Sequence, residues 1–336
     1  MTALQTLLHP FETGMLPPLA AGTRGLVFNA QPGMRRPEGF DAELFLVQGF
    51  RPLYLALERS GHAVAPEPQG DGYEIASVIA GRHRRQNELW IAQALARTRP
   101  GGAVLVAGDK TDGIASLRKR VGDLLPIAGS ASKFHGAVFW LERPEDGQLI
   151  ERAIAALTSS IALVDGRYFT AVGGFSSQRV DPGSRLLADS LPQDVGGAVA
   201  DFCAGWGYLS ARVAGRPDVA SLDLYEADFA SLQAARKNLT GPRPFVGFHW
   251  HDLAAEPVLA RYDAIVMNPP FHQGRAAEPD LGTRMVAAAK PALRPGGRLF
   301  LVANRALPYE RALADGFRTH GEIVRDAAFK VLWAVR

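Results

Sequence analysis

Cysteine is nearly absent: Cys203 is the single thiol among 336 residues, so no internal disulfide can form and a reducing compartment, the cytoplasm, is expected. Long apolar runs are also missing, which leaves no expected membrane-spanning helix. The stretch Met1–Leu19 carries His9, Glu12 and three prolines, without a basic start or a continuous apolar core, and is not expected to act as a secretory signal. Neither sign of charge dominates. Lys and Arg number 37 against 34 Asp and Glu, a net charge of +3 that suits RNA binding but does not single it out. Residues 1–165 hold 17 basic and 17 acidic side chains and residues 166–336 hold 20 and 17, so the excess belongs to the second half. Lysine is scarce beside arginine, whose planar fork fits phosphate and base contacts; an arginine-rich codon usage would produce the same bias.

What is present describes a globular protein, 47% hydrophobic and 21% charged, too long for one ordinary hydrophobic core. The apolar run Tyr262–Met267 reads as a buried strand, and Asn268, Pro269, Pro270 and Phe271 follow it as a turn. In open α/β sheets the carboxyl ends of strands are where ligands bind. Asn268 offers a side-chain carbonyl, and the adjacent proline removes a backbone donor, so acceptors face an incoming amine while Phe271 offers a stacking face. A planar, amine-bearing group such as a nucleobase suits that turn; the plainer alternative is a Pro-Pro strand stop with Asn268 as a turn cap.

Some sixty residues upstream, Ala198–Phe202 reads as a strand that enters the small-residue turn Cys203-Ala204-Gly205-Trp206-Gly207 and then a helical pattern. The next strand, Val219–Tyr225, is closed by Glu226, an acid about 20 residues beyond the glycines, which is the spacing of a ribose-binding carboxylate. Asp223 competes for that role but sits inside the strand. A third strand, Arg243–Trp250, ends at Asp252, which can accept from an adenine amine. Trp206 either covers a cofactor or plugs the sheet.

This succession resembles the class I S-adenosylmethionine-dependent methyltransferases, whose Asn-Pro-Pro-aromatic turn marks enzymes acting on planar amino groups. With Gly174-Phe175-Ser176, Val180–Leu187, Phe271–Gly274 and Val302–Glu310, the second half resembles the bacterial ribosomal RNA guanine-N2 methyltransferases of the RsmC/RlmG type. The likeness implies S-adenosyl-L-methionine as cofactor, held by Asp201, Cys203, Gly205, Gly207, Glu226, Asp252 and Asn268, with Asn268, Pro269, Pro270 and Phe271 as the catalytic turn. It also implies ribosomal RNA, of the small subunit, or a ribosomal subunit as partner, and no metal. One departure is Cys203, where the family's turn has its first glycine; the site is expected to survive there if the cysteine adopts negative φ with a shifted backbone. Phe175, Asp181 and Ser184 either fold over the cofactor as a lid or form only a turn and helix cap.

The first half repeats the order of elements without either motif: strands at Thr23–Asn29, Gly72–Ala80, Ala103–Ala107 and Gly136–Leu141, mixed segments at Ala42–Gly49 and Leu53–Glu58, and helices at Asn87–Arg97 and Ile114–Leu124. Pro100-Gly101-Gly102 precedes a strand there as Pro291 to Gly297 does in the second half. The expected fold is therefore α/β, with two tandem Rossmann-like methyltransferase domains: a degenerate one at 1–160 that binds RNA or gives support, and a catalytic one at 166–336, joined by a linker within 144–165 in which Gln148–Thr158 has helical spacing and either bridges the halves or hangs loose. Arg82, Arg84 and Arg85 form the densest basic cluster, a candidate for phosphate contact or an ordinary solvated loop. The expected molecule is a monomer. Other readings are a methyltransferase for adenine N6 or protein glutamine, and a catalytically silent RNA-binding or assembly protein.

Overall fold

Short runs rich in Val, Leu, Ile and Ala form the strands of two successive units, Met1–Ser160 and Ile161–Arg336. The computed structural model describes residues 2–158, 163–241, 244–270, 272–273, 276–277 and 279–336. In the first unit the strands are β1 (Arg24–Phe28), β2 (Glu43–Val47), β3 (Val64–Ala65), β4 (Tyr73–Ile79), β5 (Thr98–Asp109), β6 (Gly129–Lys133) and β7 (Gly136–Glu142). They form one sheet in the order β3-β2-β1-β4-β5-β7-β6. The first five are parallel, and β7 runs antiparallel to both β5 and β6. Alternate side chains serve opposite faces. Leu26, Phe28, Val78 and Val106 meet helices α3 (Arg84–Arg97), α4 (Ile114–Gly122) and α5 (Gly147–Leu157), whereas Val27, Leu46, Ile79 and Leu105 meet α1 (Thr2–Glu12) and α2 (Arg51–Arg59).

The second unit has the same plan. Its strands β8 (Gly197–Phe202), β9 (Val219–Glu226), β10 (Phe245–Trp250), β11 (Tyr262–Met267), β14 (Leu293–Asn304), β15 (Thr319–Arg325) and β16 (Phe329–Val335) are ordered β10-β9-β8-β11-β14-β16-β15; β12 (His272–Gln273) and β13 (Ala276–Ala277) form a separate antiparallel pair. Helices α6 (Pro182–Ser190), α7 (Tyr208–Ala214) and α8 (Phe229–Asn238) cover one face, and α9 (Pro279–Ala292) and α10 (Tyr309–Gly316) the other. Strands buried on both faces read as continuous apolar runs, which is why this sheet was visible in the sequence.

Several segments depart from the sequence reading. Residues 53–58 lie in a helix, because Pro52 at its start and an amphipathic pattern favour one turn after another of α2. Within the stretch read as linker, the helical spacing of residues 148–158 is realised as α5: Asp146 caps it by accepting from the N–H groups of Gln148 and Leu149, and Ile150, Ala153 and Leu157 are buried in the first unit's core, so the helix belongs to that unit. The strand expected from Arg243 begins at Phe245, and residues 242–243 lie outside the described residues.

The two sheets correspond residue by residue. β5 and β14 are both 12 residues long with an identical sequence of buried and exposed positions, and the pairing registers make Phe28, Val47 and Val78 the counterparts of Phe202, Tyr225 and Met267. By the same register Val27 stands where the second unit has Asp201, Asn29 where it has Cys203, Gln48 where it has Glu226, and Ile79 where it has Asn268. No helix separates β1 from β2, whereas α7 follows β8. Buried Gln48 accepts the Phe50 N–H at 2.9 Å and donates from Nε2 to the Ala30 carbonyl at 2.8 Å, so the chain's own backbone uses up the side chain. Gln48→Glu sets a carboxylate against that carbonyl and is expected to lower the first unit's stability by about 1–3 kcal/mol in urea unfolding.

Candidate active site

Strands β8, β9 and β11 are parallel neighbours, so their carboxyl ends, Phe202, Glu226 and Met267, reach the same edge of the sheet. Asp201 is the penultimate residue of β8 and is fully buried. The Ser210 hydroxyl donates to its Oδ2 at 2.6 Å, while its Oδ1 has no hydrogen-bond partner among the described residues. Burial pushes this carboxyl up to about 7 against the pull of Ser210.

The turn that follows uses backbone conformations that side chains disfavour. Cys203 has φ +61°, Gly205 +55° and Gly207 +84°. Cys203 therefore occupies the left-handed region itself, which corrects the expectation of negative φ: the glycine path is kept and the side chain bears the strain. Space around Gly205 is open, with nothing within 4 Å of where a Cβ would stand. At Gly207 a Cβ would come within 3.1 Å of the Ala235 Cβ, so this glycine serves the close packing of α7 on α8. Trp206 is buried against Tyr168 and Tyr208, with ring centroids 5.2 and 5.8 Å away, and belongs to the core; its carbonyl accepts from Asn238.

Glu226 ties the turn to the next strand. Its Oε2 accepts the Gly205 N–H at 2.7 Å and its Oε1 the Asp228 N–H at 2.8 Å, and burial pushes its carboxyl up to about 7. Asp223 is already engaged, accepting from the Tyr262 hydroxyl at 2.7 Å and pairing with His249 Nε2 at 3.1 Å. Asp252 follows β10; its Oδ1 accepts the Ala254 N–H at 2.9 Å, and the preceding His251 N–H donates to the Glu226 carbonyl, which keeps the two acids at neighbouring strand ends.

Asn268 lies one residue beyond β11 and shares a small cleft with Phe175, Cys203, Gly205, Asp181 and Ser184. Its Nδ2 donates to Asp181 Oδ2 at 3.0 Å and to Ser184 Oγ at 2.8 Å. Asp181 also caps α6, accepting the Ser184 N–H at 2.7 Å, so the segment first read as a lid or a cap is a cap that reaches Asn268. Pro269 is buried and Pro270 partly so; Phe271 lies outside the described residues. Arg82, Arg84 and Arg85 belong to the first unit and are exposed. Arg84 pairs with Glu88 at 2.8 Å and Arg82 with Asp112 at 3.8 Å, whereas Arg85 makes no ion pair among the described residues.

A positive-φ turn after the first strand, acids after the second and third, and Asn-Pro-Pro after the fourth define a class I methyltransferase site. Residues 166–333 match the methyltransferase small domain family, and the chain belongs to that family. Among curated proteins it is 27% identical over 265 residues to ribosomal RNA small subunit methyltransferase C of Salmonella choleraesuis strain SC-B67, covering 74% of this chain and 72% of the relative. It is 29% identical over 248 residues to the protein of that name from Salmonella arizonae, covering 69% and 67%. Among solved structures it resembles the T. thermophilus 16S rRNA N2 G1207 methyltransferase RsmC in complex with AdoMet and guanosine, with TM-score 0.77 and 27% identity over 98% of this chain and 91% of that one.

The residues present fit S-adenosylmethionine: an orphaned buried carboxylate oxygen on Asp201, open space at Gly205 and a carboxylate at the end of β9 match a cationic, hydroxyl-bearing ligand. Two consequences are measurable. Asp201 and Glu226 both have raised folded-state values, so their contribution to the free protein's stability is full below the ordinary 3.8 and 4.5 and is lost as pH rises through about 7. A ligand that favours their ionised forms binds with proton release, so cofactor affinity by calorimetry should weaken as pH falls below about 7, and Glu226→Gln should flatten that profile and cost about tenfold in affinity. Cys203→Gly relieves the left-handed strain and should raise stability by about 1 kcal/mol, read as a higher Tm.

Proposed function

We propose that this protein transfers a methyl group from S-adenosylmethionine to the exocyclic N2 amine of a guanine in small-subunit ribosomal RNA. Carrying this reading is the Asn268 amide, whose two N–H bonds are both spent on Asp181 and Ser184, while its oxygen accepts no hydrogen bond from the described residues at the strand end beside the glycine turn. When bound, the cofactor supplies an electrophilic methyl on a sulfonium. Glu226 holds the ribose hydroxyls, Asp252 the adenine amine, and Asp201 with Cys203, Gly205 and Gly207 the methionine end. A flipped guanine enters the cleft and stacks on Phe271. Its amine would donate to the Asn268 side-chain oxygen and to the Pro269 carbonyl, with Pro270 keeping the turn free of competing donors; the nitrogen lone pair is then free to take the methyl, and the amine proton is lost to water. The protein's part is alignment, which in well-oriented systems is worth about 7–11 kcal/mol of barrier.

The first unit's role is to hold RNA or support its neighbour. Arg85, exposed and unpaired, is the better phosphate contact of its cluster, since Arg84 is tied to Glu88. The protein acts as a monomer in the cytoplasm, where its ribosomal substrate is made. Incubation with S-adenosylmethionine and either naked 16S RNA or small subunits, followed by nucleoside mass spectrometry, should yield N2-methylguanosine. N6-methyladenosine as the product, or no methylated nucleoside, would overturn the guanine assignment. Asn268→Ala should cut kcat by about a hundredfold or more while leaving cofactor affinity within about threefold of wild type.

A further inference from the structure

Side-chain amides present an oxygen on one side and a nitrogen on the other, and rotation by half a turn exchanges them. At the end of β11 that choice decides the chemistry, because an NH2 group turned toward the substrate would repel an amine donor. The Asn268 nitrogen is held by two groups far away in sequence, Asp181 Oδ2 at 3.0 Å and Ser184 Oγ at 2.8 Å. A carboxylate can only accept, so Asp181 fixes which end of the amide faces it. The pair is itself rigidly seated. Asp181 Oδ2 accepts the Ser184 N–H at 2.7 Å as the cap of α6, Ser184 is buried, and a Cβ on the intervening Gly183 would lie 3.0 Å from the Phe329 ring and 3.1 Å from Asp181 Oδ2.

We infer that Asp181 and Ser184 are positioning residues that lock the Asn268 amide with its oxygen toward the substrate amine, an inference that rests on the amine-methylating reading above. Charge adds to geometry. A carboxylate accepting from the amide nitrogen polarises the group and makes its oxygen a stronger acceptor for the amine. The helix cap explains one of the hydrogen bonds to Asp181 but neither of those from Asn268.

Ser184 separates positioning from capping, because its backbone N–H serves the helix cap while its hydroxyl serves Asn268. Ser184→Ala leaves the cap in place, removes one of the two acceptors of the amide, and should lower kcat about tenfold with cofactor affinity and Tm close to wild type. Asn268→Asp sets acceptor against acceptor at Asp181 Oδ2, turns the new carboxylate away and should lower kcat about a hundredfold with cofactor affinity little changed. Thermal unfolding of each variant checks that the fold is intact. Loss of kcat in both folded variants at retained cofactor affinity supports the inference. A folded Ser184→Ala or Asn268→Asp enzyme as active as wild type overturns it. Wild-type protein that methylates no guanine would sink the functional reading as well, an outcome distinct from an active wild type whose variants are unimpaired.

Discussion

A carboxylate at the end of β9 accepts a backbone N–H from the turn after β8, and the working half of this protein is arranged around that bond. Glu226 and Gly205, 2.7 Å apart, fasten two neighbouring strand ends and give the glycine turn its open shape. The same carboxylate accepts the Asp228 N–H, so both oxygens are engaged by backbone and point where a ligand's hydroxyls would share them. In the first unit the register-equivalent Gln48 retains the bond from the residue two places on, here Phe50, but its other end donates to Ala30. Changing an acceptor oxygen for a donor nitrogen converts an opening toward a ligand into a closed loop of the chain.

Much of this was legible because the chemistry is concentrated at strand ends, and strand ends are marked by abrupt changes in residue type. The runs before Cys203, Glu226 and Asn268 are mostly apolar, interrupted by Asp201, Ser221, Asp223 and Asp263, and the residues that follow them differ in type from the strands. Asp181 and Ser184 could be read only as turn, cap or lid, since their link to Asn268 spans 87 and 84 residues and depends on α6 and β11 being brought together. Trp206 was ambiguous for a similar reason: an aromatic between two glycines becomes core once Tyr168 and Tyr208 surround it. The helical spacing of α5 is visible in the sequence, but the core that its apolar face joins is not, because Ile150, Ala153 and Leu157 have no partner until α3 is in place. The order of β7 and β6 on the sheet edge likewise follows from tertiary pairing that no local pattern encodes.

Cys203 shows how a local rule can be broken without losing the structure it serves. Left-handed backbone costs an ordinary residue about 1–2 kcal/mol, small enough for surrounding hydrogen bonds to impose it. Ala204 donates to the Tyr225 carbonyl and Gly207 to the Ala204 carbonyl, so the turn is held from both sides of Cys203's φ. Asn29, at the equivalent place in the first unit, has φ +53°. The backbone path is therefore a property of the sheet edge, shared by both copies, and the glycine usual at this position relieves the path without creating it.

Burial of charge argues against a catalytically silent second unit. Asp201 is fully buried with one oxygen unpartnered among the described residues, and desolvation pushes both its carboxyl and that of Glu226 up to about 7. Buried acids without a cation or a full set of donors oppose folding. The first unit has shed this cost: Val27 replaces the buried acid and Gln48 the strand-end acid, and Ile79 stands where the second unit keeps Asn268. One fold thus appears twice in one chain, once with its strand ends satisfied internally and once with acceptors left open. The open arrangement is offset when a ligand brings positive charge and hydroxyl or amine donors to those acceptors, which is the chemistry that the proposed function assigns to them.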